Sequence, residues 1–312
     1  MNFKSIEHKF KAIICGVKHL YKYNTPNHKL KDIFICQEHR DIADMVLQTE
    51  KDIILASRQS YFKNMSKYLK LLQPAMLDNL ARIGGYGDGG YIMLPPPPHT
   101  KQNDKSQNNQ PKAVSLGISE SSPWDLEIAN MGYQVLQYDA SIEQSPDSHP
   151  NIIFHKKFVG TSKDHQTITL KDILQDYEFD PTLHNILQCD IEGAEWEIFD
   201  KLDFNLLQKY FAQIVIEFHR CKPISSIRTR HQCTILEKFH QYYQPIHLHF
   251  NSCGNIFYIK DRFFASLPEV TYLRRDLLPN HFTLRQTCGD IEHLDYPNID
   301  MFPNLPINFA NI

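Results

Sequence analysis

The residues able to do chemistry in this sequence stand where apolar runs end. The run 185–189 closes on Asp190-Ile191-Glu192-Gly193-Ala194-Glu195-Trp196, a string of acids and a glycine that leads into a helical pattern. Acids at a helix N-terminus are favoured by its dipole, which accounts for part of the string but not all of it. The run 213–218 closes on His219 as Glu217-Phe218-His219. Histidine is the usual general base near neutral pH, although a single histidine is more often structural. The run 113–118 ends in Gly117-Ile118-Ser119, where a residue without a Cβ lets backbone approach a ligand. About twenty residues later Asp139 ends the next run, an offset at which a carboxylate can accept hydrogen bonds from ribose hydroxyls. A turn or helix cap is the plain alternative for Asp139.

Alternating strand and helix patterns must position these residues. Runs at 113–118, 133–138, 152–158, 185–189 and 213–218 read as strands, and 245–250 with 255–259 as a final strand pair. Helical patterns fall at 123–131, 170–175, 194–202 and 234–243. This order predicts a mostly parallel sheet with helices on both faces, in which ligands lie beyond the carboxyl ends of the strands. Upstream, Arg82-Ile83-Gly84-Gly85-Tyr86-Gly87-Asp88-Gly89-Gly90-Tyr91 holds five of the chain's 12 glycines. It reads either as a hairpin turn at Asp88-Gly89 or as backbone brought close to a ligand. Residues 95–112, four prolines and a polar run, read as a solvated loop.

Residues 41–80 read as mainly helical, with Asp41, Ser57 and Ser60 as candidate caps. Residues 3–22 carry an apolar stripe at helical spacing among lysines. Such a helix docks on its own domain or makes weak contact with an anionic membrane surface. The expected division is a helical extension over 1–80, a catalytic domain over 81–280 and a C-terminal arm over 281–312.

The chain has 312 residues, 42% hydrophobic and 22% charged, with a net charge of −3. That balance fits a folded protein and gives no electrostatic reason to expect nucleic-acid binding. The 7 cysteines are scattered without a C-x-x-C pair, which suits a reducing, cytoplasmic setting. No apolar run is long enough to read as a transmembrane segment. His247 and His249 share a strand face near Cys253, a permissive arrangement for a metal but one without a clear further ligand.

The Asp190 string resembles the D-[IV]-E-G-[AS]-E motif of FkbM-type methyltransferases. The resemblance runs over residues 80–278 and takes in the Gly84–Gly90 block, Ser115-Leu116-Gly117-Ile118, Asp139, Glu217-Phe218-His219 and Val270–Asp276. It implies a Rossmann-like class I methyltransferase fold, with a seven-stranded sheet whose last strand is antiparallel. It also implies S-adenosylmethionine as cofactor. Gly117, Ile118 and Ser119 would cradle the methionine part, Asp139 and Ala140 would meet the ribose, and Asp190 and Glu192 would sit near the transferring methyl group. Gly85, Asp88 and Gly160 complete the expected cofactor-binding set. The glycine loop after the first strand is reduced to Gly117, followed by Ser119-Glu120-Ser121-Ser122.

Methyl transfer is an in-line displacement, so the protein mainly holds two partners in line and removes a proton. The expected reaction is O-methylation of a hydroxyl on a glycan or small metabolite. His219 or Asp190 would be the base, Glu192 would orient the acceptor, and no resident metal is required. Two other readings compete. In a metal-dependent glycosyltransferase, Asp190 and Glu192 would hold the ion. In a degenerate methyltransferase fold, the chain would act as a binding scaffold.

Overall fold

The computed structural model describes residues 17–20, 31–96, 110–286 and 291–312. In chain order these form β1 (Val17–Leu20), α1 (Gln37–Gln48), β2 (Ile53–Ala56), α2 (Gln59–Leu72), β3 (Ala81–Ile83) and β4 (Tyr91–Met93). There follow β5 (Lys112–Leu116), α3 (Pro123–Asn130), β6 (Gln134–Tyr138), β7 (Ile152–His155), β8 (Phe158–Gly160), β9 (Thr167–Thr169), α4 (Leu170–Asp176) and β10 (Asn185–Cys189). The last elements are α5 (Glu195–Lys201), α6 (Phe204–Tyr210), β11 (Phe211–Glu217), α7 (Ser226–Tyr242), β12 (Tyr243–Ile259) and β13 (Arg262–Arg274).

The main sheet has nine strands among the described residues, in the order β1-β2-β12-β13-β11-β10-β5-β6-β7. Strands β7, β6, β5, β10 and β11 run parallel, and β13 lies antiparallel to both of its neighbours. The expected count of seven is therefore too low. The reason lies in β12, a single strand of 17 residues where the sequence suggests a strand pair. It bends at two register shifts, between Pro245 and His247 and between Asn251 and Ile256. Such bulges add twist and redirect a strand. Beyond the second shift, Ile256–Ile259 also takes β2 in parallel, and β2 takes β1.

Two further expectations change at the N-terminal side. Residues 41–80 hold two helices with β2 between them, and the caps are Cys36 and Arg58. Asp41 lies inside α1, where it accepts a hydrogen bond from Gln37 at 2.6 Å. Residues 17–20 form a strand rather than the end of a helix, and the rest of the 3–22 stripe lies outside the described residues.

Side-chain alternation along the central strands divides the core in two. Val114, Leu136, Leu187, Ile214 and Ile216 join one cluster with Met65, Phe199, Leu207 and Phe239 from the helices on that face. Ala113, Val135, Ile186 and Val215 join the other with Trp124, Ile128 and Ala129 of α3. A strand buried on both faces reads as a continuous apolar run, which is how these strands appear in the sequence. The C-terminal segment returns to the larger core through Leu305, Ile307 and Phe309, each 1–2% exposed.

Candidate active site

The carboxyl ends of β5, β10 and β11 meet at one point, and Gly117 is why they fit. Its φ is +81°, and a Cβ there would lie 1.6 Å from the carbonyl oxygen of Asp190. Only glycine tolerates that conformation together with that approach. Next to it, Asp139 Oδ2 accepts the Ile118 N–H at 2.8 Å, and Oδ1 accepts the Ser141 N–H and hydroxyl, each at 2.6 Å. Sequence reading thus finds two neighbouring strand ends, and the chain ties them together. Ser119 is exposed and Ala140 half-buried beside them.

His219 is the hub of the second half of the site. Its side chain is 7% exposed. Fully buried Glu195 fixes it: Oε1 accepts the His219 backbone N–H at 2.5 Å and lies 3.2 Å from Nδ1, while Oε2 accepts the Gly193 N–H at 2.8 Å. Trp196 donates its indole N–H to the His219 carbonyl at 2.6 Å. The imidazole thus turns Nε2 toward three carboxylates: Glu192 at 3.4 Å, Glu217 at 3.5 Å and Asp190 at 3.6 Å. The loop that presents Glu192 is held in an unusual shape. Glu192 and Arg220 both have left-handed φ, +58° and +61°. Arg220 Nη2 donates to the Glu192 carbonyl at 3.0 Å. Strain at non-glycine residues persists where surrounding contacts hold it, commonly at functional sites.

Acids crowd this point from distant parts of the chain. Glu217 faces Glu269 directly across the antiparallel β11–β13 pair. They are 5% and 6% exposed. Asp88, on the glycine-rich loop between β3 and β4, points at the same place, and its backbone N–H is held by the Asn298 carbonyl at 3.1 Å. Burial first, then Asp190 and Glu269, push the Glu217 pKa well up. Asp190 rises to about 7, chiefly through burial; His219 opposes the shift, and Asp88, Glu192 and Glu269 add to it. Burial works against a charged His219, but the hydrogen bond and charge of Glu195, helped by Asp190 and Glu192, outweigh it and raise its pKa.

A cavity of about 490 Å³ opens over these side chains. Asp88, Asp190, Glu192, Glu217 and His219 form its acidic side, with Lys51, Arg220 and Lys222 elsewhere on its wall. The expected site residues therefore fall into two neighbouring groups. Asp190, Glu192, His219 and Asp88 line the cavity, whereas Gly117, Ile118, Ser119, Asp139 and Ala140 do not. Gly85 packs on Pro123 and gives its carbonyl to Arg82 Nε at 2.7 Å. Gly160 belongs to the small β8–β9 pair and lines a different hollow. His247 and His249 do share a face, but they converge on Asp295, at 3.0 Å and 3.4 Å.

Residues 81–257 match the methyltransferase FkbM domain, which is more than half of the chain. The chain belongs to the FkbM methyltransferase family. A human protein, probable methyltransferase-like protein 24, is 25% identical over 131 residues, covering 36% of this chain and 34% of that protein. The chain thus matches about a third of that relative's length. No solved structure gives a significant match. Within this member of the FkbM methyltransferase family, sequence reading assigns no role to Glu195, Glu217 or Glu269. Glu195 and Glu217 stand inside the quoted motifs, where their acidity was the available signal. Glu269 sits in the unmarked interior of β13, and only strand pairing brings it to the site.

Proposed function

We propose that this chain transfers a methyl group from S-adenosylmethionine to a hydroxyl of a glycan or small metabolite. The junction at Gly117 carries the reading. It puts a carboxylate suited to a ribose diol on one side of a backbone crossing and the acid-imidazole cluster with its cavity on the other. Asp139 fits a ribose: each oxygen accepts a backbone N–H, which fixes the carboxylate; Oδ2 keeps a lone pair for one ribose hydroxyl, and a second hydroxyl would replace that of Ser141 on Oδ1. When bound, the cofactor supplies the electrophilic methyl carbon. Asp190, Glu192 and His219 hold the acceptor hydroxyl at the cavity floor and take up its proton, while Arg220 and Gly193 keep the Glu192 loop in place.

Calorimetric titration with S-adenosylmethionine and S-adenosylhomocysteine tests the cofactor. The expected result is binding that Asp139→Ala abolishes. Absence of binding to a folded chain would overturn the proposal and favour a scaffold, or a sugar-nucleotide enzyme to be tested with manganese.

A further inference from the structure

We propose that Asp190, Glu217 and His219 form a binding site for one hard divalent cation, of the magnesium or manganese type, at the floor of the cavity. The three donor atoms lie within 4.8 Å of one another. Nε2 of His219 is 3.5 Å from Glu217 Oε1 and 3.6 Å from Asp190 Oδ1. Edges of that length place cis ligands about 2.5 Å from a common centre, inside the ~2.3–2.6 Å range of calcium and roughly 0.4 Å beyond the ~2.0–2.1 Å of magnesium, so the side chains must draw inward by about that much to close on the smaller ion.

The side chains are held as ligands are held. His219 is more than nine-tenths buried, its Nδ1 is taken by Glu195, and among the described residues its Nε2 makes no hydrogen bond and faces the acids. A carboxylate behind an imidazole, fixing its tautomer and turning the other nitrogen inward, is the usual support of a metal-bound histidine. Glu217 likewise has Oε2 taken by Asn251 Nδ2 at 3.0 Å, which leaves Oε1 for the centre.

Charge supplies an independent reason. Glu217 and Glu269 are both more than nine-tenths buried and directly opposite each other, an arrangement that is unfavourable without compensation. Among the described residues no lysine or arginine forms an ion pair with Asp88, Asp190, Glu192, Glu217 or Glu269. His219 offers at most one positive charge. A divalent cation supplies two at the place where the acids converge, and the cavity leaves room on its open side for an acceptor oxygen and water.

The site stands on its own geometry; its use in catalysis rests on the methyl-transfer reading. An acceptor hydroxyl bound to the cation becomes more acidic. With Asp190 and His219 turned to the cation, the proton that the methyl-transfer reading shares among three side chains would pass to the exposed Glu192 carboxylate. The new oxygen–carbon bond forms as the sulfur–methyl bond breaks, and that electron pair stays on sulfur.

The test uses the full chain freed of metal with a chelator and titrated with manganese(II), with free ion followed by electron paramagnetic resonance. The expected result is one manganese per chain, displaced by magnesium. Glu217→Gln should weaken binding at least tenfold, and Glu195→Gln, behind the histidine, about 10–100-fold. Asp139→Ala should bind manganese as the parent does. Circular dichroism confirms folding, and if Glu217→Gln does not fold, Asp190→Asn makes the same comparison. No manganese bound, or binding unaltered in Glu217→Gln and Asp190→Asn, would refute the site. A chain that binds manganese but not S-adenosylmethionine keeps the site and loses the methyltransferase reading. The opposite result does the reverse.

Discussion

Two buried carboxylate centres lie on neighbouring strands and are built in opposite ways. In the C-terminal segment, Asp295, its side chain 2% exposed, sits between His247 and His249 and also takes the Ile291 N–H at 2.5 Å. Burial raises its pKa, but the charge and hydrogen bond of His247, with those of His249, more than reverse this and hold it well below the usual carboxylate range. At the cavity, acids meet acids, and the Asp190 and Glu217 pKa values rise instead. Asn298 joins the two centres: His249 Nε2 lies 3.2 Å from its Oδ1, and its Nδ2 donates to Glu269 at 2.6 Å and Asp88 at 3.2 Å. A carboxylate matched by two imidazoles fastens the chain. Carboxylates that outnumber their one imidazole are costly to the fold and mark a place where something else binds.

The largest test of that contrast is kinetic. Asp190→Asn should cut turnover about 10²–10⁴-fold, the loss typical when removal of the acceptor's proton fails, with S-adenosylmethionine affinity little changed by calorimetry. Turnover at the parent rate would place the chemistry elsewhere. The matched centre should respond in stability. Asp295→Ala leaves two buried imidazoles without their acid and should cost about 3–5 kcal/mol in denaturant unfolding.

The pH dependence of unfolding separates the Asp295 charge from its packing. A carboxylate with a depressed folded pKa contributes stability that is present above the unfolded value, about 4, and is lost as the pH falls below it. Asp295→Asn should therefore be destabilised most near neutral pH and converge on the parent in acid. A constant difference from pH 7 to pH 3 would deny the ion pairing. The smallest effect has the opposite sign. Glu217→Gln removes one of two facing acids and should stabilise the metal-free chain by about 1 kcal/mol or less. Destabilisation there would mean the acids are already balanced.

Much of the frame is legible in the amino-acid pattern alone. Strands β5, β6, β10 and β11 fall on their apolar runs because they are buried on both faces, and Gly117, Asp139, Asp190 and His219 stand at their ends as expected. The long β12 is less legible, since the polar stretch around Asn251–Asn255 looks like a turn between two strands. That stretch instead borders the cavity, where Asn251 supports Glu217. The glycine-rich loop is both a hairpin, with β3 paired to β4, and a carrier of Asp88 to the cavity.

By itself the sequence determined which residues are acidic or imidazole-bearing at the ends of apolar runs, and that one glycine follows the first of them. Period-two and helical patterns are local, so they can be read without knowing what lies opposite. Only the tertiary structure decided that Glu195 stands behind His219, that Glu269 faces Glu217 across β11 and β13, and that Asp88 and Asn298 reach the same point. Those contacts join residues up to 210 positions apart, and strand register and loop path, which no local pattern encodes, set them.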